Sequence, residues 1–489
     1  MNKNLILLLV GIAIVPAACT MAPKYSRPQA PVPTQWPGGA AYTEALASTN
    51  ATEVPNLRWQ EFFSDEKLQK VIGTALTNNR DLRLAILNVE ETRAMYGIQR
   101  ANLFPAVDAV GSGGRQRVPA DLSSSGESRT TSRYDASLGV ASWEIDFFGR
   151  IRSLKDNALQ QYLATEQARR GAQILLVSAV ANTYLALAAD RENLKLAQTT
   201  LETQQGAYDL IKKRHTLGLL PELDLLRAQT QVDGARGDVA RFTQFVAQDE
   251  NALNLLAGAP VAGELLPAEL GKVTPPREIS AGLSSEVLLR RPDVLQAENL
   301  LKAANANIGA ARSAFFPRIS LTAAVGTASS DLSGLFKSGS GTWSYAPQIV
   351  MPLFDARVWA AHKAAKVQQE IAVTQYEKAI QGAFREVADT LAVRGTVGRQ
   401  LEAQQSLVKA VGETFRLSTS RYDKGIDSYL SVLDAQRSLY AAQQGLVYLR
   451  LANLVNHVRI YAVLGGGWKA ENITQAKATP ASPMDKKKP

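Results

Sequence analysis

The sequence predicts a mainly α-helical chain that carries a few membrane β-strands, and three observations support that class. One stretch of the chain returns in the same order about 210 residues later. Ala-, Leu- and Gln-rich blocks run without proline from 120 to 220 and from 353 to 479, a composition that favours helices of unusual length. Between the helical blocks lie two pairs of roughly ten-residue segments where the helical pattern stops, and in three of them apolar and small polar side chains alternate, the period of a half-buried strand.

The N-terminus reads as an export signal. Residues 1–18 combine Lys3, an apolar run from Leu5 to Val15, and the small-residue end Pro16-Ala17-Ala18. Cys19 follows at once and is the only cysteine in 489 residues, so neither an intrachain disulfide nor a Cys-based metal centre is possible. Its placement resembles a bacterial lipoprotein box, with Pro16 where Leu is usual, and makes Cys19 the expected lipidation site. Thr20, rather than Asp, follows it and points to the outer membrane. Residues 19–60 are expected to form a lipid-tethered strap, extended by Pro23, Pro28, Pro31, Pro33, Pro37 and Pro55. The polar tail 471–489, ending in Lys486 to Lys488, is expected to be disordered.

The body divides into two structural repeats, 61–268 and 269–470. Asp81, Gly97, Arg100, Phe104 and Pro105 return at an offset of 212 as Asp293, Gly309, Arg312, Phe316 and Pro317. Arg214, Gly218, Leu226, Ala228, Gln229 and Gly258 return at an offset of 207 as Arg421, Gly425, Leu433, Ala435, Gln436 and Gly465. Each repeat is predicted to hold a helix, two strands and a long helical hairpin, with hairpins at 147–257 and 355–463. Nothing interrupts a helix from Arg150 to Arg214, a segment roughly 100 Å long at 1.5 Å per residue. Along it Ile174, Val177, Ala181, Tyr184 and Ala188 follow the three-four spacing of a coiled-coil seam. Gly171 to Ala189 is uncharged, but Gln173, Ser178, Asn182 and Thr183 favour a packed helix over a bilayer span. The turns Leu217-Gly218-Leu219-Leu220-Pro221 and Lys424-Gly425-Ile426-Asp427-Ser428 reverse the chain.

Strands are expected near 106–115, 133–145, 318–328 and 342–352. Their length suits a tilted crossing of a hydrocarbon core, and Tyr134, Trp143, Trp343 and Tyr345 suit interfacial girdles. Four strands cannot close on themselves, and open edges in lipid leave backbone groups unsatisfied at several kcal/mol each. Copies of the chain must therefore pool strands; pattern alone does not distinguish eight strands from twelve.

These residues resemble the bacterial outer-membrane efflux channels of the TolC superfamily, and within it the lipoprotein branch that serves resistance-nodulation-division pumps. The resemblance rests on Cys19 with Pro23, Tyr25 and Pro28; on Trp143 through Arg150 (WEIDFFGR); on Pro352-Leu353-Phe354-Asp355 with Arg357; and on Arg421 to Gly425 followed by Tyr429 to Arg437 (YLSVLDAQR). It implies a homotrimer with a twelve-stranded outer-membrane β-barrel, a long periplasmic α-helical barrel, and an equatorial belt near 259–290 and the tail. It also implies two partners, a periplasmic adaptor and an inner-membrane pump, with Gly218 and Gly425 marking the adaptor-contacting tips. By the same resemblance Leu430 and Asp434, with Arg437 one turn on, form the periplasmic gate. Arg227 occupies the place of Asp434 in the first repeat, which suggests inter-hairpin ion pairs between Arg227 and Asp434.

Catalysis finds no foothold in the sequence. His215, His362 and His457 are far apart, and no nucleophile or paired-carboxylate motif accompanies them; no metal or cofactor is expected. The net charge of +9 is spread along helices with acidic neighbours and does not argue for nucleic acid. The leading expectation is a passive exit duct of a tripartite efflux pump. Export of proteins by a type I secretion system, and a non-conducting periplasmic brace, are the alternatives.

Overall fold

The proline-free blocks fold as unbroken helices. The computed structural model describes residues 20–42, 57–279 and 284–466; the leader, Cys19 and the tail from 471 lie outside the described residues. Helices α1 (Trp59–Phe62), α2 (Glu66–Asn78) and α3 (Arg80–Ala101) lead into strands β1 (Asp108–Val118) and β2 (Arg129–Glu144), then α4 (Arg150–Thr216) and α5 (Glu222–Ala257). After short 3-10 turns the order returns as α6 (Pro292–Ser313), β3 (Arg318–Ser329), β4 (Gly341–Val350), α7 (Ala356–Asp423) and α8 (Tyr429–Val463). The matched partners α4 and α7 have 67 and 68 residues. The strands lie close to the expected ranges, but β1 runs on to Val118 and β2 begins at Arg129, so that this hairpin is longer than its apolar part.

By internal contacts the chain forms two units: one of residues 1–30, 87–166 and 296–378, the other of 31–86, 167–295 and 379–489. The first holds the sheet, antiparallel in the order β1-β2-β3-β4. Register sorts its side chains by face. Leu138 lies opposite Val325, and Val325 opposite Trp343; Val140 and Tyr345 flank Ala323; Ile319 meets Ile349. The other face carries Ser112 opposite Asp135, Ser137 opposite Gly326, and Ser320 opposite Gln348. Simple alternation from Tyr134 would put Trp143 on the polar face. A bulge between Val140 and Trp143, with Ser142 at φ 53, shifts the register so that Trp143 lies opposite Leu321 on the apolar face. Tyr134 and Trp143 then mark opposite ends of the β2–β3 pairing, while Tyr345 sits between them in depth.

Below the sheet, charged side chains turn strand into helix. Glu144 accepts from Arg150 at 2.7 Å and from Arg318 at 2.6 Å. Asp146 caps α4 by accepting from the amides of Ile151 and Arg152 at 3.1 and 2.9 Å, and Asp355 accepts from the Arg357 amide at 2.9 Å at the start of α7. Phe148 stacks on Phe316 at 4.8 Å, and Phe315 meets Trp359 edge-on at 4.9 Å.

The strap segment 20–30 docks on one ridge of α6. Arg312 donates to the Met21 carbonyl, Asn305 to the Pro23 carbonyl, and both Tyr25 and Arg27 donate to Glu298, with Lys302 over the Tyr25 ring. Positions 298, 302, 305, 309 and 312 follow the helical four-three spacing. Gly309 makes the approach possible, because a Cβ there would stand 2.7 Å from the Ala22 nitrogen. Glu298 has a side chain only 3 % exposed. Burial pushes its carboxyl up, but the hydrogen bonds from Arg27 and Lys302 outweigh that and hold it below the usual range.

In the second unit, Phe62, Phe63, Val71, Ile72 and Ala75 are fully buried, and Phe62 stacks on Tyr461 at 4.3 Å. Asn79 closes two helices at once. Its side chain accepts from the Leu82 amide at the start of α3 and donates to the Leu256 carbonyl at the end of α5. Arg291, almost wholly buried, donates to the Val463 carbonyl and pairs with Asp293 and Glu386 at 2.7 and 2.8 Å. Further along the strap, Ser285 donates to the Pro33 carbonyl and Trp36 stacks on Phe384 at 5.1 Å. Helix α4 is long and apolar enough by composition to cross a bilayer, with a window of mean hydropathy 1.6, yet 67 % of that window is buried in protein. Ile174, Val177, Ala181, Tyr184 and Ala188 are all in that packed seam.

One contact in this unit opposes folding at neutral pH. The carboxyls of Asp190 on α4 and Asp249 on α5 share a hydrogen bond, and burial together with the Asp190 charge pushes Asp249 up to about 6. A carboxyl raised in the fold stabilises it most below the unfolded value near 4, and that contribution is lost as pH rises through 6. Asp249→Asn is therefore expected to gain about 1 kcal/mol over the wild type at pH 7.5, after solvent screening, and nothing at pH 4; thermal melts at the two pH values measure it. Glu298→Ala should cost about 2 kcal/mol of strap docking, seen as faster trypsin cleavage after Lys24 with the rest of the chain resistant.

Candidate functional site

The residues singled out by sequence gather at the far turns of the two long hairpins, both within the second unit. At the first, Gly218 has φ 74, its amide donates to the His215 carbonyl at 2.8 Å, and the Leu219 amide donates to the Arg214 carbonyl at 2.9 Å. At the second, Gly425 has φ 73, its amide donates to the Tyr422 carbonyl at 2.9 Å, and the Ile426 amide donates to the Arg421 carbonyl at 2.9 Å. Both turns are the same left-handed helix stop at the same offset. His215 adds a ring-nitrogen contact to the Leu220 carbonyl at 2.9 Å. The two turns touch: Arg214 donates to the Tyr422 hydroxyl at 3.0 Å, and Tyr422 lies 5.1 Å from the ring of Tyr429. Burial pushes the Tyr429 phenol up to about 12, so it is neutral at any physiological pH.

Chemistry at these turns is uneven. Arg421 makes a two-pronged pair with Asp427, at 2.6 and 3.1 Å. Leu217, Leu219, Leu223 and Ile426 leave a large apolar surface exposed. On α8, Val432, Leu433, Ala435 and Gln436 are buried, whereas Leu430, Asp434 and Arg437 share the opposite, open face at four-three spacing. The repeat is not symmetric here: Leu226 is 50 % exposed, but its counterpart Leu433 only 6 %.

Within one copy of the chain, Arg227 and Asp434 each pair on their own helix and not with one another. Asp434 pairs with Arg437 on its own helix at 2.7 Å, and Arg227 with Asp224 on its own at 3.6 Å. A partner three residues away on the same helix is always within reach and costs little side-chain entropy, so local pairs form first. Besides Arg214 and Tyr422, the hairpins are joined by Tyr440 of α8, which donates to Asp238 of α5 at 3.0 Å, and by Arg450 of α8 with Glu192 of α4 at 3.4 Å. Sequence reading missed these contacts because their partners are more than 200 residues apart. His457 is largely buried and its imidazole is pushed down by that burial and by the charge of Arg394, which keeps it neutral. Among the described residues no group of three His, Cys, Asp or Glu side chains is placed to hold a metal.

The pattern of the family described as outer membrane efflux protein matches residues 71–259 and again 283–466, one match per repeat. The chain belongs to the outer membrane efflux protein family. It is 49 % identical over 470 residues to the probable efflux pump outer membrane protein TtgC of Pseudomonas putida, covering 96 % of each chain. To outer membrane protein OprJ of Pseudomonas aeruginosa it is 41 % identical over 459 residues, covering 94 % of this chain and 95 % of that one. Among solved structures it matches the open-state MtrE outer membrane channel of Neisseria gonorrhoeae with a TM-score of 0.83 and 38 % identity, over 92 % of this chain and 99 % of that one. A crystal structure of a membrane protein from Pseudomonas aeruginosa matches with a TM-score of 0.87 and 39 % identity, over 94 % of this chain. This is a TolC-like fold in an outer-membrane protein, and the family is one of channels, not catalysts.

Since both turn glycines occupy the left-handed region, Gly218→Ala and Gly425→Ala should each destabilise by about 1 kcal/mol. Hydrogen exchange at the amides of residues 219 and 426 should accelerate in the corresponding variant, leaving the other turn unchanged.

Proposed function

We propose that this protein is the outer-membrane exit channel of a tripartite efflux pump of the resistance-nodulation-division type, conducting small toxic compounds passively to the cell exterior. The observation that carries the reading is the sheet. Its four strands sort apolar from polar side chains by face, while β1 and β4 each keep one edge without a strand partner among the described residues. Within lipid such edges must be paired, and neighbouring copies supply the pairing. Three copies give twelve strands, apolar toward the bilayer and polar toward a water-filled lumen. The homotrimer is anchored by lipid on Cys19 and runs into the periplasm as paired helices. TtgC and OprJ support the assignment as named efflux-pump or outer-membrane relatives.

The exposed Leu217 and Leu219 beside Gly218 and Ile426 beside Gly425 are the contact surface for a periplasmic adaptor, which joins the channel to the inner-membrane pump that supplies the energy. Leu430, Asp434 and Arg437 form the periplasmic gate. In a trimer, three copies of Leu430 give an apolar collar that resists wetting, and three Asp434 carboxylates favour cations. Within one copy each Asp434 carboxylate pairs with Arg437 of its own helix at 2.7 Å.

Single-channel recording in planar bilayers tests the reading. The wild type should conduct weakly, and Leu430→Ala with Asp434→Ala should raise conductance severalfold and reduce cation preference. A protein that carries no current in any variant is a brace and not a channel.

A further inference from the structure

Beside the docked strap lies a groove of about 370 Å³ whose lining includes Pro23 and Tyr25 of the strap, Leu301, Ile308 and Arg312 of α6, and Lys366 of α7. Lys24 and Glu370 also border it. The charge here is one-sided, with three cations against a single carboxylate. None of Lys24, Arg312 and Lys366 has a carboxylate partner among the described residues, and Arg312 spends one N–H on the Met21 carbonyl at 3.3 Å, which leaves the rest of its guanidinium fork for a ligand. Arg312 and Lys366 also converge on one imidazole: burial, then the charges of these two side chains, push His362 down.

The groove's position in the chain gives it a direction. Arg312 is in the last turn of α6, just before β3 begins at Arg318, and Lys366 lies about three turns into α7, the helix that follows β4. Between Val350 and Lys366 stand exposed aromatic side chains: Phe354, which is fully exposed, and Trp359, which is 70 % exposed. An aromatic belt followed by basic residues at a strand-to-helix junction is the pattern of a membrane interface. The strap settles which side of the wall this is. Met21 lies two residues from Cys19, so a strap tethered by lipid runs on the bilayer side and not within the lumen.

We propose that this groove is a binding site for an anionic glycerophospholipid of the periplasmic leaflet, whose phosphate is held by Arg312 and Lys366 with Lys24 alongside. The apolar floor of Leu301 and Ile308 receives the glycerol end, and the acyl chains lead toward Trp359 and Phe354. Cation excess over Glu370 selects a net negative headgroup over a zwitterionic one. The inference rests on the reading of the chain as a lipid-tethered outer-membrane channel, but it concerns a lipid that is not covalently attached.

Native mass spectrometry of the full-length lipidated protein, delipidated in detergent and titrated with phosphatidylglycerol or phosphatidylcholine, tests it. The wild type should retain phosphatidylglycerol about tenfold more strongly than phosphatidylcholine. Arg312→Gln with Lys366→Gln should abolish that preference. Lys366→Gln, which touches no strap hydrogen bond, should weaken it severalfold while trypsin cleavage after Lys24 is unchanged, and Lys24→Gln should weaken it severalfold as well. Equal retention of the two lipids, wild-type retention by the double variant, or displacement by millimolar inorganic phosphate would overturn the proposal, the last by assigning the groove to a soluble anion. Channel conductance recorded on the same preparations separates the two readings: conduction without lipid preference removes the lipid site alone.

Discussion

The backbone edges of β1 and β4 govern the rest of this molecule. A β-strand that borders lipid must spend its amides and carbonyls on a neighbour, and the described residues of this chain hold four strands with two edges to satisfy. No internal rearrangement of four strands closes that deficit, because small barrels need about eight. The fold is therefore incomplete as a single copy, and much of its exposed apolar surface reads as interface rather than error. Phe104, Leu353 and Phe354 at the strand-to-helix junction, like the side chains Trp343 and Ile349 on the sheet face, are exposed in a single copy.

The duplication explains how a chain of this length arrives at so regular a design, and where it departs from regularity. Matched turns at Gly218 and Gly425 share one hydrogen-bond pattern to within about 0.1 Å. The α3 and α6 helices, by contrast, have been used differently. Gly309 and Arg312 on α6 hold the strap, whereas their counterparts Gly97 and Arg100 on α3 are open, with nothing within 4 Å of a Cβ at Gly97. A single N-terminus can cover only one of two equivalent ridges, so duplication necessarily leaves the other for a different use.

Most of the architecture was legible because it depends on period and punctuation. Proline-free blocks set the long helices, glycine set both reversals, and alternation set the strands. What escaped had two causes. Polar strand ends, such as Arg129 to Thr131 in β2, carry no apolar alternation, and they join the sheet by pairing with Gln116 to Val118 of β1. The bulge at Ser142 was hidden because one extra residue inverts the phase for Trp143 without altering composition. At the candidate site, the open face of Leu430, Asp434 and Arg437 was readable from helical spacing. The local pairing of Asp434 with Arg437 was readable too, yet equivalence between repeats drew attention to Arg227 instead. Long-range contacts such as Tyr440 with Asp238 leave no trace in either period or composition.

The two hairpin turns share a backbone but not a chemistry. One presents Leu217 and Leu219, the other Ile426 beside an Arg421–Asp427 clasp. A closed ring of three such chains would offer six docking knuckles of two alternating kinds, greasy and charged. Whatever meets that rim faces a choice of stoichiometry: six identical visitors must tolerate both surfaces, while three need recognise only one.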